Sequence, residues 1–370
     1  MGKRGGNLFS ILNVHLHIPF FFLVLFCLQK VDSRCILFNF GDSNSDTGAL
    51  TAGLGLYLGP PAGRLFFNRT TGRFCDGRLY VDFICENLKI NFLSPYLESS
   101  GSNFTHGVNF AVAGAATESN AVVFPLSTQV GQFLHFRNRT RELRPLGKGS
   151  MISEKEFRSA VYSFDMGQND INIAFTANLS YPQVIDRIPS ILSRIRDSIE
   201  IMYENGASKF WIYNTGPLGC LPQTLALRKK NDSVLDDFGC MADYNNACKV
   251  FNAGLSDLCD ELRSKFKQAT VVCTDKYTIR YDLVANHTNY GFESPLMACC
   301  GHGGPPYNYK DRMTCGQPTA SPCPLGSRYV SWDGVHNTEV ANEIIASKIL
   351  SGEYSKPQIK LKSLCRSRKH

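Results

Sequence analysis

Five short apolar runs, at residues 36–40, 108–111, 160–164, 209–213 and 270–273, constrain this chain more than any other feature. They read as strands, and helical periodicity fills the chain between them. Ile185, Ile188, Leu192, Ile195, Ile199 and Met202 keep the helical period before the fourth run. Tyr244, Cys248, Phe251, Leu255, Leu258 and Leu262 keep it between the fourth and fifth. Pro182 suits a first helical turn, whereas Pro189 predicts a break or kink. Asp76 is placed to cap a helix through Leu88, and Thr338 to cap the last one through Leu350. Strands alternating with helices predict an α/β fold: a three-layer α/β/α sandwich around a mainly parallel sheet, in one compact domain. The 370 residues could hold two domains, but α/β domains reach this size singly. In such sheets ligands bind outside the carboxyl ends of the strands. Ser43, Gly114 and Asn169 follow the first three runs, and His336 just precedes the final helix, so all four fall on one rim.

The N-terminus reads as a separate segment. Lys3 and Arg4 precede an apolar stretch of 11 residues, 18–28, and small residues follow before Arg34. That is short for a bilayer span, so residues 1–33 read as a cleaved signal peptide, with an uncleaved anchor as the competing reading. No other segment is apolar enough to cross a membrane. Glycosylation sequons at Asn68, Asn103, Asn138, Asn178, Asn231 and Asn286 agree with secretion to the apoplast or cell wall. So do the cysteines. Without Cys27 there are 13, so at least one stays unpaired. Cys220 with Cys240, and Cys299, Cys300, Cys315 and Cys323, form clusters that suggest disulfide staples rather than a metal site, since no Cys-x-x-Cys pair accompanies them.

Charge excludes one class of partner. The net +7 falls to 36 basic against 31 acidic residues once residues 1–33 are set aside. Six of those bases (Lys356, Lys360, Lys362, Arg366, Arg368, Lys369) lie in the tail 356–370, so the body at 34–355 is close to neutral. The basicity is therefore local and does not point to nucleic acid. The tail reads as solvated, and weak contact with an acidic cell-wall polysaccharide is the binding role it would suit.

Two short motifs carry chemistry. Phe38-Asn39-Phe40-Gly41-Asp42-Ser43 sets a serine on a tight turn directly after a strand, and Asp333-Gly334-Val335-His336 sets a carboxylate three residues before a histidine. A serine hydroxyl becomes nucleophilic when an imidazole takes its proton, and a carboxylate fixes the imidazole's tautomer. Ser43, His336 and Asp333 are thus candidate nucleophile, base and orienting acid. Asp42 and Asp46 read as braces of the turn. His302, in a glycine-rich loop, is the one rival base.

Together with 107-GVNFAVAGA-115, 165-DMGQND-170, 71-TGRFCDGR-78 and 298-ACCG-301, these motifs run over essentially the whole mature chain. In that combination the sequence resembles the plant GDSL esterase/lipase family of the SGNH-hydrolase superfamily, in the sub-branch with early-nodulin-like and acetylesterase-like members. The resemblance implies the flavodoxin-like SGNH-hydrolase fold and no metal or cofactor. It assigns the oxyanion donors to the Ser43 and Gly114 backbone N–H groups and the Asn169 amide, with any side chain at position 114 obstructing the approach. Departures are Asn44 where the family name has Leu, Gln168 where Gly is frequent, Cys75 in place of Ser, and Asn337 where Leu or Tyr is common. Gln168 is expected on the pocket floor, Cys75 is the candidate free thiol, and Cys75 and Asn337 bear on substrate choice. The implied activity is hydrolysis of a small-molecule or polymer-linked ester (an acetylated glycan, a specialised-metabolite ester or a lipid) through an acyl-Ser43 intermediate. The lack of a lid-like apolar stretch favours short acyl groups. Transfer of the acyl group to an alcohol, and a binding protein without activity, are the alternatives.

Overall fold

The computed structural model describes residues 34–118, 122–147, 151–229 and 233–365. The segment 1–33, Asn231 and the tail charges Arg366, Arg368 and Lys369 lie outside them. Five strands, β1 (Leu37–Gly41), β2 (Gly107–Asn109), β3 (Val161–Asp165), β4 (Lys209–Tyr213) and β5 (Thr270–Thr274), pair parallel in the order β2-β1-β3-β4-β5. Each sits within one or two residues of an apolar run read from the sequence. β6 (Cys300–Gly301) and β7 (Ser321–Pro322) form a separate ribbon, and β8 (Ser355–Lys356) closes the main sheet antiparallel to β5. The order reverses between β1 and β3, the doubly wound switch point where such sheets bind ligands.

Alternation within the strands explains the layers. Phe38, Phe40, Tyr162, Phe164, Phe210 and Ile212 point to one face, where Phe40 stacks on Phe110 at 5.2 Å and on Phe164 at 4.8 Å. Leu37, Val161, Trp211 and Tyr213 point to the other. The first face is covered by α3 (Leu126–Leu143), α6 (Tyr181–Glu204) and α8 (Ala242–Lys265). The second is covered by α2 (Tyr80–Leu88), α9 (Lys276–Ala285), α10 (Glu339–Ser351) and α11 (Leu361–Leu364). The shorter helices α1 (Ala49–Leu54), α4 (Glu154–Ser159), α5 (Gln168–Thr176) and α7 (Pro222–Arg228) complete the connections. The result is the expected three-layer α/β/α sandwich with a mainly parallel sheet.

Several local expectations fail, some because a distant partner decides. The helix α6 continues through Pro189 rather than breaking there. Asp76 does not cap α2, whose first turn is closed by Asp82 accepting from Leu79 N at 2.8 Å. Asp76 instead accepts from Glu339 N at 2.7 Å, and so caps α10 beside the expected cap Thr338. The tail read as solvated is part of the fold as far as Cys365: β8 pairs with β5, Leu361 and Leu364 are buried, and Cys365 is bonded to Cys35. Three further disulfides, Cys220–Cys240, Cys299–Cys323 and Cys300–Cys315, lie within the two expected clusters. Cys75 is free, as expected, and so are Cys85, Cys248, Cys259 and Cys273.

Candidate active site

The nucleophile turn is fixed by side chains standing in for backbone. Where β1 ends, the buried Gln129 of α3 accepts from Gly41 N at 3.0 Å and donates to Gly41 O at 2.8 Å. Asp42 accepts from Asn44 N at 2.9 Å, which bends the chain around Ser43. Asp46 accepts from Gly48 N at 2.7 Å and Leu50 N at 3.1 Å, capping α1. It also accepts from Ala113 N at 2.7 Å, which ties the loop after β2 to the turn after β1. Both aspartates are therefore braces, as the sequence suggests. Beneath them Asn39 donates to Ser45 Oγ at 2.9 Å and to Asn109 Oδ1 at 2.8 Å, and Asn109 donates to Thr47 Oγ1 at 2.9 Å. These buried polar groups satisfy one another, as burial requires.

Gly114 is exposed at φ +78°, and a Cβ there would meet nothing within 4 Å. The left-handed backbone favours glycine there, and the open space beside it is free of protein atoms. Asn169, one residue into α5, donates through Nδ2 to Ala115 O at 2.9 Å and to Asp42 Oδ2 at 3.4 Å. Hydrogen bonds thereby join the loops carrying Ser43, Gly114 and Asn169. The Ser43 hydroxyl makes no hydrogen bond to another described residue, His336 included, and the Ser43 and Gly114 N–H groups find no acceptor among them. Gly167 is needed nearby for a second reason: at φ +114°, a Cβ would lie 2.4 Å from the Phe251 ring.

A buried charge cluster under the turn escaped the sequence reading. Register aligns Gly41, Asp165, Tyr213 and Thr274 across the strand ends, so the residues at and just beyond them share one layer. Lys276 is ion-paired with Asp165, accepts the Tyr80 and Tyr213 ring faces at 5.4 and 5.8 Å, and is buried, as is Arg280. Tyr80 donates to Asp165 at 2.8 Å. Burial, with the nearby Asp165 charge adding to it and Lys276 opposing it, pushes the Asp42 carboxyl up to about 6. Gln168 is buried, accepts from Arg280 Nη1 at 2.9 Å and joins this cluster to α5. Nothing in a local window pairs position 42 or 165 with 276 or 280.

The histidine sits on a loop without helix or long strand. Trp332 N donates to His336 O at 2.7 Å, closing a tight turn in which Gly334 adopts φ +98° under the Tyr309 ring. His336 Nδ1 lies 2.6 Å from Asp333 Oδ2, while Asp333 Oδ1 accepts from His336 N at 2.8 Å and Val335 N at 3.0 Å. Burial alone would raise the Asp333 carboxyl, but the His336 ring and those donors hold it below its ordinary value. The loop is anchored by Cys299 N to Ser331 O at 2.9 Å and Cys300 N to Trp332 O at 2.6 Å, and both cysteines are in disulfides. Phe74 packs against the imidazole with centroids 5.1 Å apart.

Residues 37–349 match the family described as GDSL-like Lipase/Acylhydrolase. The chain belongs to that family. A GDSL esterase/lipase of Arabidopsis thaliana is 51% identical over 334 residues, spanning 89% of this chain and 90% of its own length. The GDSL esterase/lipase LIP-4 of the same plant is 51% identical over 338 residues, spanning 90% of each. The GDSL esterase/lipase ENOD8 of Medicago truncatula is 38% identical over 379 residues, spanning 94% of this chain and 96% of its own. Membership places the protein among the carboxylic ester hydrolases.

The remaining expectations sort themselves on this GDSL scaffold. His302 bonds Thr319 O at 2.8 Å through Nδ1. Cys75 is fully buried between α2 and α10, its Sγ approached by Asn342 Nδ2 at 3.5 Å, and burial pushes its thiol far up. Asn337 turns the same way, towards Asn342. Both side chains are engaged with Asn342 of α10. Asn68, Asn103, Asn138, Asn178 and Asn286 are all exposed, although Asn138 lies within α3. Among the described residues no helix is long and apolar enough to cross a membrane.

Proposed function

We propose that the protein is a secreted, glycosylated serine esterase that works through an acyl-Ser43 intermediate. The observation that carries this is the Asp333–His336 contact at 2.6 Å, which uses Nδ1 and leaves Nε2 for a reacting proton. Ser43 Oγ attacks the ester carbonyl and its proton passes to His336 Nε2; Asp333 stabilises the imidazolium. The carbonyl oxygen becomes an oxyanion, met by the N–H groups of Ser43 and Gly114 and by Asn169 Nδ2. Collapse breaks the carbon–oxygen bond to the leaving alcohol, which takes the proton from Nε2. Water repeats the cycle on the acyl-enzyme and releases the acid. An imidazole must be neutral to act as base, so activity falls in acid.

The substrates this reading favours are esters reached outside the cell: acetylated glycans, specialised-metabolite esters or lipid esters. The five exposed sequons and four disulfides support secretion. The test is fluorophosphonate labelling of the purified protein beside Ser43→Ala, with the modified peptide mapped by mass spectrometry. Label on Ser43, lost in the variant along with about 10⁴-fold or more of ester turnover, is the expected result. A folded wild-type protein that takes no label refutes the mechanism.

A further inference from the structure

The geometry points to an acyl-binding pocket beside Asn169, sized for an alkyl or aryl portion of up to about eight carbons; this rests on the serine-esterase reading above. The cavity has a volume of about 210 Å³. Its apolar wall is formed by Ala116, Ile173, Ala174, Ala177, Leu179 and Ile191. Asp170, Ile173, Ala174 and Ala177 recur at helical spacing, so one face of α5 and its end lines the cavity. The same helix carries Asn169 at its start, one turn from Ile173. Asn169 Nδ2 bonds Ala115 O at 2.9 Å, and the next residue, Ala116, is in the cavity lining, so the lining continues in the chain from the loop that holds the proposed oxyanion donors. A carbonyl held there would send its carbon chain between Ala116 and α5.

Size and polarity set the limits. A cavity of roughly 150 Å³ holds a six-carbon ring, so this one holds about eight carbons by proportion. The wall also contains Glu118 and Arg187, ion-paired at 3.5 Å. A longer apolar chain would have to lie against that pair or displace it, and either is unfavourable. Asp170 Oδ1 is held by Thr117 N at 2.8 Å and Thr117 Oγ1 at 2.6 Å, whereas its Oδ2 is buried without a hydrogen-bond partner among the described residues and adds a polar limit to the wall. Burial raises its carboxyl besides.

The test is a chain-length series of p-nitrophenyl esters, from acetate through butanoate, hexanoate and octanoate to dodecanoate. Each methylene buried in the transition state gains about fourfold in kcat/KM, so the series should climb to hexanoate or octanoate and fall at dodecanoate. Ala177→Phe narrows the cavity from an exposed position that tolerates a larger side chain, and should lower the hexanoate-to-acetate ratio of kcat/KM at least tenfold. Ile173→Ala widens it and should move the optimum to a longer chain. A profile that is flat, or that both variants scale by one factor at every length, overturns the pocket while leaving the esterase reading intact. Absence of both turnover and Ser43 labelling overturns that reading, and the pocket with it.

Discussion

The two halves of the candidate site are held by different physics. Ser43 and Asn169 follow β1 and β3 and are fixed by the sheet register, by Gln129 and Asp46, and by a buried cluster of two acids and two bases. His336 and Asp333 lie on a loop held by backbone hydrogen bonds, the buried Trp332, the Phe74 ring and two disulfides. The nucleophile side thus rests on the central sheet, whereas the histidine side is loop structure that cross-links and a small buried cluster around Trp332 hold in place. Regions with few buried contacts open first, so the difference predicts which half fails under which stress.

Removing a cation from the cluster should strike hardest and only on the nucleophile side. Lys276→Met leaves Asp165 buried without its partner and is expected to lower unfolding stability by about 3–5 kcal/mol, read by urea denaturation. A loss near zero would mean that the cluster does not support the sheet rim. Asn169→Ala tests the same side without touching the core: kcat should fall by about 10²–10³ while the denaturation midpoint stays near that of wild type. A matching loss of stability would turn Asn169 into a structural residue.

The histidine side is probed by Cys300→Ser with Cys315→Ser. Their disulfide closes 15 residues, a loop worth about 3 kcal/mol on chain entropy. Turnover should disappear at urea concentrations where far-ultraviolet circular dichroism is still that of the folded sheet. Simultaneous loss of both signals would show that the loop and the sheet unfold as one unit, and would break the comparison.

The smallest effect separates the halves by pH. Asp42 is raised in the folded state, so its contribution to stability is complete below its ordinary value of 3.8 and disappears as pH rises through about 6. Asp333 is lowered, so its contribution is present above its ordinary value of 3.8 and disappears as pH falls. Asp42→Asn should therefore flatten the decline in stability between about pH 4 and pH 6, and Asp333→Asn should flatten the acid-side loss. Melting temperatures across pH for the two variants check the opposite signs.

Periodicity made the sheet legible. The apolar runs 160–164 and 209–213 foretold β3 and β4, and the spacing from Ile185 to Met202 foretold α6. The motif blocks marked Ser43, Asp333 and His336 as candidates, because a turn after a strand and an i to i+3 pair are local geometry, and the family resemblance added Gly114 and Asn169. At Gly114 the sequence marks a glycine, and the backbone adds a second reason for it, a positive φ.

What the sequence determined by itself was whatever a window of ten or twenty residues can encode: strand and helix period, turn chemistry, the order of the blocks around the switch point, and the clusters of Cys299, Cys300, Cys315 and Cys323. Only the tertiary structure decided that Asp76 caps a helix 263 residues away, that Cys35 meets Cys365, and that Asp42 and Asp165 share a buried layer with Lys276 and Arg280. The reason is the same in each case. A carboxylate, a thiol or an ammonium group is chemically indifferent to its place in the chain, and its partner is whichever group the packed layers bring within reach.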